Sequence, residues 1–233
     1  MRRTGIEYEA ARAAAFVGYR MICEWEKIPI DKDDTGRIPR YVDPRWQGFL
    51  SNLVPSEFRS KYESRLPELI SGSEILSLGA IHPDPFTVVR PEVKYRVRAC
   101  TRYAIEENQR IELFIELARG TTLQPSLPAF RQMGELMFQS HWSYTECGLG
   151  ALETDQLIDL IRKHRGDDLL FGAKITGGGA GGTVAVLGSA GASAAFQKVV
   201  DDYAQLHSCK PYVFEGSSIG TDRFGIHVLR EVA

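Results

Sequence analysis

Cysteine is scarce in this chain of 233 residues, and nothing pairs what there is. Cys23, Cys100, Cys147 and Cys209 lie far apart, with no C-x-x-C spacing. That pattern argues against a zinc site or a disulfide framework and reads as reduced thiols in a cytoplasmic protein. No apolar run approaches the length needed to cross a bilayer. The opening stretch, MRRTGIEY, lacks the apolar core of a signal peptide. An excess of one charge is missing too. The net charge is −2 with 43% hydrophobic residues, so the expectation is a globular protein with no pull toward nucleic acid or anionic membrane. Asp31, Asp33 and Asp34 cluster, but the twelve-residue calcium loop with its terminal Glu is absent, so they read as a solvated loop and no metal site is expected.

Glycine is what the chain has in concentration. Five of its 22 glycines fall between Gly177 and Gly182, flanked by apolar runs. Phe171 to Ile175 and Thr183 to Leu187 have the length and residue types of two strands, which makes the glycines a wide hairpin loop. Such a loop lets backbone approach a ligand with no Cβ in the way, and its successive N–H groups can converge on an anion. Gly177, Gly179 and Gly182 match G-x-G-x-x-G by letter. The dinucleotide fingerprint must open a helix, however, and the β-branched TVAVL that follows is strand-like. The Gly-Lys-Ser/Thr ending of a Walker A loop is also absent, since Lys174 precedes the glycines. Composition alone leaves two readings open, a ligand-contacting loop and a bare hairpin tip.

The rest alternates between helical and irregular patterns. Glu7 to Glu26 reads as a helix burying Ala14, Val17, Met21 and Ile22, with Arg12 and Arg20 paired or solvated on its surface. Lys27 to Arg45 reads as a surface excursion. Phe58, Tyr62, Leu66 and Leu69 have helical spacing interrupted by Pro67. Thr101 to Arg119 predicts a helix with Ile105, Ile111, Phe114, Ile115 and Ala118 on its apolar face and a favourable Glu106/Arg110 pair. Gly120 to Leu127 reads as a loop, and Pro128 starts the next helix, which carries His141. A structural role suits His141 better than a catalytic one, because the sequence places no Ser or Asp partner for it. Thr154 to Arg165 is a helix with Thr154 or Glu153 as its cap. Ala190 to Leu206 is another, followed by a strand at Tyr212 to Phe214, a turn at Gly216 to Gly220 and a last strand at Gly225 to Leu229. This order predicts an α+β fold, an antiparallel sheet with helices on one face.

The segment GAKITGGGAGG, Gly172 to Gly182, resembles the third signature of the GHMP small-molecule kinases. GELMFQSHWSY resembles that family's Ser-His helix, while Leu53-Val54-Pro55-Ser56-Glu57-Phe58, similar to a "Leu-x-x-Pro-Ser-x-Phe" stretch, and Cys147-Gly148-Leu149-Gly150 resemble its arabinokinase-like branch more than galactokinases. The resemblance extends to the helix from Thr101, where the family has Arg-His with a following Glu and Arg: Arg102, Glu107 and Arg110 match, whereas Tyr103 stands where a His is usual. The resemblance implies a ferredoxin-like C-terminal domain over residues 101–233, preceded by a helical and irregular segment of residues 1–100 left from the domain junction. It implies an ATP- and Mg²⁺-dependent sugar 1-kinase. Within it, Tyr8 contacts the sugar, and Thr176, Gly177, Gly178, Gly179, Gly181 and Gly182 form the phosphate loop. Lys174 is either nearby charge or a structural strand residue. The family's catalytic Asp and second phosphate signature match nothing here, so the expectation is no catalytic residue in this chain, those groups lying upstream of Met1. The expected partners are a monosaccharide and either the upstream half of the kinase or a second copy covering an exposed interface. A non-catalytic sugar- or partner-binding module derived from such a kinase is the alternative.

Overall fold

The computed structural model describes residues 4–32, 39–79, 83–166 and 169–214, together with Arg223 and Gly225. The first helix, α1 (Thr4–Trp25), buries Ala13, Ala14, Val17 and Ile22, all at most 1% exposed. Met21 lies at the edge of that face, half-buried. Small side chains on this stripe let α1 pack closely on the long helix α4 (Val97–Leu123).

Between these helices the chain is short-ranged and irregular. Strands β1 (Ile30–Lys32) and β2 (Pro39–Tyr41) pair antiparallel, with Asp31 opposite Arg40. Asp33 and Asp34 lie outside the described residues. The reading of Lys27 to Arg45 as a surface excursion needs correction, because Tyr41 and Asp43 are buried. Asp43 is the reason. Its carboxylate accepts from the Tyr19 hydroxyl at 2.8 Å and from the backbone N–H groups of Arg45 and Trp46, each at 2.9 Å. Burial alone would raise this carboxyl, but the donors from Trp46 and Tyr19 bring it below its ordinary value. Trp46 is thereby turned inward to meet Tyr62 edge-on.

Helix α2 (Pro55–Lys61) starts on proline and continues into a tight turn at Glu63–Arg65. Phe58, Tyr62 and Leu66 are fully buried, whereas Leu69 beyond Pro67 is exposed. Strand β3 (Ile70–Ser71) pairs with β4 (Lys94–Tyr95) and leads into α3 (Gly72–Ser77) through a capping box between Ser71 and Glu74.

Helix α4 runs four residues further at each end than its pattern suggested, so the loop expected from Gly120 begins only after Leu123. Its apolar face divides in two. Ile105 is buried in the cluster it shares with α1, but Ile111 and Ile115 are 49% and 41% exposed. Helix α5 (Leu127–Tyr144) follows, with Pro128 in its first turn, and ends in a wide π-type turn, Thr145–Leu149. Helix α6 (Leu152–Lys163) starts after Ala151 with no side-chain cap; the Thr154 hydroxyl bonds back to the Ala151 carbonyl at 2.9 Å instead. Strands β5 (Leu170–Thr176) and β6 (Thr183–Gly188) form the expected antiparallel hairpin, and α7 (Ser193–His207) follows.

Two buried clusters result. One is rich in aromatic residues and joins α1, α2, the β3–β4 pair and the start of α4. The other is mainly aliphatic, with Ile158, Ile161, Leu170, Ala173 and Val199 around Phe138 between α5, α6, the hairpin and α7. Helix α5 sits directly on β5, because glycines face each other there. A Cβ on Gly134 would lie 2.0 Å from the Phe171 carbonyl oxygen, and one on Gly172 would lie 2.3 Å from the Gly134 Cα.

Among the described residues the fold is helix-rich, with three separate two-stranded antiparallel sheets. The expected strand at Tyr212 to Phe214 is absent. Tyr212 and Phe214 are 79% and 76% exposed and pack edge-to-face on each other, with no neighbouring strand among the described residues to supply ladder hydrogen bonds. The expected turn at Gly216 to Gly220 and, Gly225 apart, the last strand lie outside the described residues.

Candidate active-site loop

The β5–β6 hairpin closes at the pair Thr176 and Thr183, and the six residues between them leave the sheet. Gly177, Gly179, Ala180, Gly181 and Gly182 have φ of +78°, +81°, +57°, +112° and +103°. This run of left-handed backbone is what the glycine density serves. The loop has an inner and an outer rim. On the inside, the Ala180 N–H donates to the Leu149 carbonyl at 2.7 Å. A Cβ on Gly179 would lie 2.6 Å from that carbonyl oxygen and 2.8 Å from the Tyr144 ring. The Tyr144 hydroxyl donates to the Gly177 carbonyl at 3.1 Å. On the outside, a Cβ on Gly177, Gly178, Gly181 or Gly182 would meet nothing within 4 Å. The N–H groups of Gly178, Gly181 and Gly182 donate to no described residue. A row of free donors on backbone without side chains suits the oxygens of an anion such as a phosphate.

Helix α1 brings Tyr8 to the same end of the molecule. Tyr8 is 45% exposed, and α1 packs against the wide turn that carries Leu149. Burial raises the Tyr144 phenol above its ordinary value, and the nearby Tyr8 adds to that rise. One turn along α1, Arg12 holds Asp84 through two bonds of 2.8 and 2.9 Å and lies over the rings of Phe16 and Phe86. Asp84 also accepts from the Thr87 hydroxyl at 2.6 Å. Burial opposes its ionisation, yet Arg12 and Thr87 bring its carboxyl down to about 2. Arg12 is therefore paired, and so is Arg20, which binds Glu24 at 2.6 Å.

Beneath the loop, one buried carboxylate joins three elements. Glu107 of α4 accepts from Ser140 of α5 at 2.5 Å, from Lys174 of β5 at 2.9 Å and from Arg110 at 2.8 Å. Burial pushes the Glu107 carboxyl upward, but these three donors prevail and hold it below its ordinary value. Lys174 is thus committed to the strand that leads into the loop. Arg110 also reaches Glu106 at 3.3 Å, while Arg102 pairs with Glu63 and Glu146. Tyr103 is partly buried, its ring 5.3 Å from that of Tyr144. His141 is fully buried, with Nε2 3.2 Å from Asp155 Oδ1 and out of line for a hydrogen bond. Burial lowers its pKa despite that carboxylate and leaves the ring a neutral packing element.

The sequence names Tyr8 and the glycines as candidates and does not single out Tyr144, the Leu149 carbonyl or the Glu107–Lys174 bond. Tyr144 closes the GELMFQSHWSY segment, three residues after His141 and one turn along α5. The loop itself is an open edge. A cleft of about 840 Å³ between α1 and the β1–β2 pair is lined by Phe16, Tyr19, Tyr41 and Asp43 and includes no loop residue. Among the described residues no group of three or more His, Cys, Asp or Glu could hold a metal ion, and no helix is long and apolar enough to cross a membrane.

Residues 123–205, from the end of α4 into α7, match the family model described as GHMP kinases C terminal. The chain is 32% identical to an L-arabinokinase of Arabidopsis thaliana over 241 aligned residues, covering 95% of this chain and 23% of that protein. It is 29% identical to a galactokinase of Thermotoga petrophila over 175 residues, covering 71% of this chain and 45% of that protein. The chain therefore spans less than half the length of each of these relatives. A crystal structure of Lactococcus lactis galactokinase with galactose overlaps 78% of this chain and 45% of its own, at 20% identity and a TM-score of 0.40. With this sequence likeness along most of the chain, residues 123–205 match the C-terminal region of the GHMP kinases, and the chain is similar in sequence to L-arabinokinase and galactokinase.

Proposed function

We propose that this chain is the C-terminal part of an ATP-dependent sugar kinase that phosphorylates the anomeric hydroxyl of a monosaccharide of the L-arabinose or galactose type. The observation that carries the reading is the glycine loop, with three unpaired N–H groups on its open rim and Tyr8 at the same end of the molecule. The chemistry that ATP brings when bound is a transferable γ-phosphoryl group, with Mg²⁺ neutralising charge. Gly177, Gly178, Gly181 and Gly182 would lie against phosphate oxygens. Gly179 would keep the loop seated, Thr176 would offer its hydroxyl at the loop's base, and Tyr8 would contact the sugar. These residues bind and orient; none of them is a proton acceptor for the sugar hydroxyl.

The proposal assigns the catalytic base, the main phosphate loop and the Mg²⁺ ligands to the rest of the kinase, since the chain spans less than half the length of its relatives. Residues 101–233 are assigned to a ferredoxin-like domain whose further strands would extend the β5–β6 pair, and residues 1–100 to the junction. The cytoplasm is the proposed location. A second reading, a non-catalytic binding module, draws on the exposed Ile111, Leu113, Ile115, Leu123 and Leu127 around a cleft of about 780 Å³ between α4 and α5. In the kinase reading the upstream half, or a second copy of this chain, would cover such apolar surface.

A coupled assay for sugar-dependent ADP release tests the proposal, with L-arabinose, D-galactose and uronic acids as substrates. It is run on this chain alone and on the chain extended upstream. Activity in the extended form alone supports the reading and identifies the sugar. Activity in the short chain contradicts the assignment of the chemistry to the rest of the kinase. Silence in both forms supports the binding module.

A further inference from the structure

We propose that Tyr144 is a positioning residue that ties the glycine loop to the Tyr8 end of α1, so that a sugar at Tyr8 and the seating of the loop are felt by each other. The inference deepens the kinase reading and rests on it for the identity of the ligands. Three contacts converge on this side chain. Its hydroxyl donates to the Gly177 carbonyl at 3.1 Å, holding the first loop residue as the chain leaves β5. Its ring edge occupies the space that a Cβ on Gly179 would need, 2.8 Å away. Its other side meets the Tyr103 ring at 5.3 Å and 53°. Tyr144 also packs against the buried cluster built on α1, whereas the loop belongs to the hairpin of the other cluster.

Tyr144 and Leu149 therefore hold the loop at two points, the Gly177 carbonyl and the Ala180 N–H. Both lie on the inner rim. With these two polar groups turned inward, the N–H groups of Gly178, Gly181 and Gly182 are left without a partner. Removing the Tyr144 hydroxyl frees the Gly177 carbonyl and loosens the segment up to Ala180. Because α1 packs on the wide turn that follows Tyr144, a ligand that shifts Tyr8 acts on the same anchor.

Amide hydrogen exchange on this chain tests the proposal, comparing wild type, Tyr144→Phe and Gly179→Ala. In Tyr144→Phe the Ala180 amide is expected to exchange about three- to tenfold faster, the equivalent of one net hydrogen bond, with Ala173 and Lys174 in β5 unchanged. Equal Ala180 exchange in wild type and Tyr144→Phe would overturn the role. If β5 protection also falls in Tyr144→Phe, Gly179→Ala decides. There, a Cβ crowds both the Leu149 carbonyl and the Tyr144 ring edge and pushes the loop off its two anchors, and Ala180 must again be the amide that speeds up. L-Arabinose or D-galactose is expected to slow Ala180 exchange in wild type and not in Tyr144→Phe. The same response in both, including none, overturns the coupling. ATP is the separate control for the underlying reading. If it leaves Gly178, Gly181 and Gly182 unprotected in wild type, the phosphate-loop reading fails, while the Ala180 comparison still decides what Tyr144 does.

Discussion

The two buried clusters solve the same problem with different chemistry. Around α1 and α2 the backbone is irregular and the core aromatic, with Tyr19, Trp46, Phe58, Tyr62 and Tyr95 nearly or fully enclosed. The two ladders of this region are short, with three and two residue pairs, and buried carboxylates organise the chain around them. Asp43 gathers Tyr19 and the turn at Trp46, and Asp84 gathers Arg12 and Thr87. Around β5 and β6 one hairpin and three helices supply regular hydrogen bonds, and mainly aliphatic side chains fill the space around Phe138. Where backbone pairs with itself, packing needs only shape; where it does not, side-chain polar groups must close the hydrogen-bond accounts. Glu107 and Tyr144 lie between the two regions, and both hold the strand or loop of the second from helices that border the first.

That contrast can be broken most strongly at the aromatic core. Phe58→Ala is expected to cost about 3–5 kcal/mol, and Ile158→Val in the aliphatic core only about 0.5–1.5 kcal/mol. Urea unfolding of both variants checks the pair. Lys174→Met sharpens the role of the seam. It leaves Glu107 with Ser140 and Arg110 only, and a loss of about 1–3 kcal/mol is expected in the same measurement.

Asp84 tests whether carboxylate anchors make the first region acid-sensitive. Its folded pKa of about 2 lies below the ordinary 3.8. The depressed value means that its contribution is fully present above the ordinary carboxyl value and is lost as pH falls toward 2. That contribution is on the order of 2 kcal/mol. Asp84→Asn should therefore be clearly less stable than wild type at neutral pH and converge with it near pH 2 in pH-dependent thermal melts.

His141 gives the smallest effect and belongs to the other region. Burial lowers its folded pKa below the ordinary 6.5, so the unfolded chain binds the proton first. Stability should decline as pH falls below 6.5, and His141→Gln should flatten that part of the profile. A wild-type profile flat between neutrality and pH 5 would contradict the assigned direction.

What was legible in the sequence follows the same division. The hairpin, its glycine loop and the helices α5, α6 and α7 were readable, since their patterns are local and their partners are near in sequence. Ala14, Val17 and Ile22 were readable for the same reason. The inward turn at Tyr41 to Trp46 was not, because Asp43 reads as one more acidic residue in a polar stretch until Tyr19 is placed against it. Nor was the exposed second half of α4, whose apolar spacing continues past the buried Ile105. Tyr212 to Phe214 had the residue types of a strand but finds no neighbour among the described residues, and strand propensity without a partner does not make a sheet. At the site, the glycines announced the loop. The groups that seat it, Tyr144 and the Leu149 carbonyl, are long-range contacts that no spacing rule displays.

The central claim is that the Gly177–Gly182 loop acts on the phosphates of a nucleotide during sugar phosphorylation. Its most direct test is steady-state kinetics of the upstream-extended kinase carrying Gly181→Ala. This change puts a Cβ at φ +112°, in open space, and disturbs the loop without crowding the core. The account predicts a fall in kcat/KM for ATP on the order of tenfold or more, with the melting temperature only slightly lowered by the backbone strain at this position. Wild-type kinetics in that variant would contradict it.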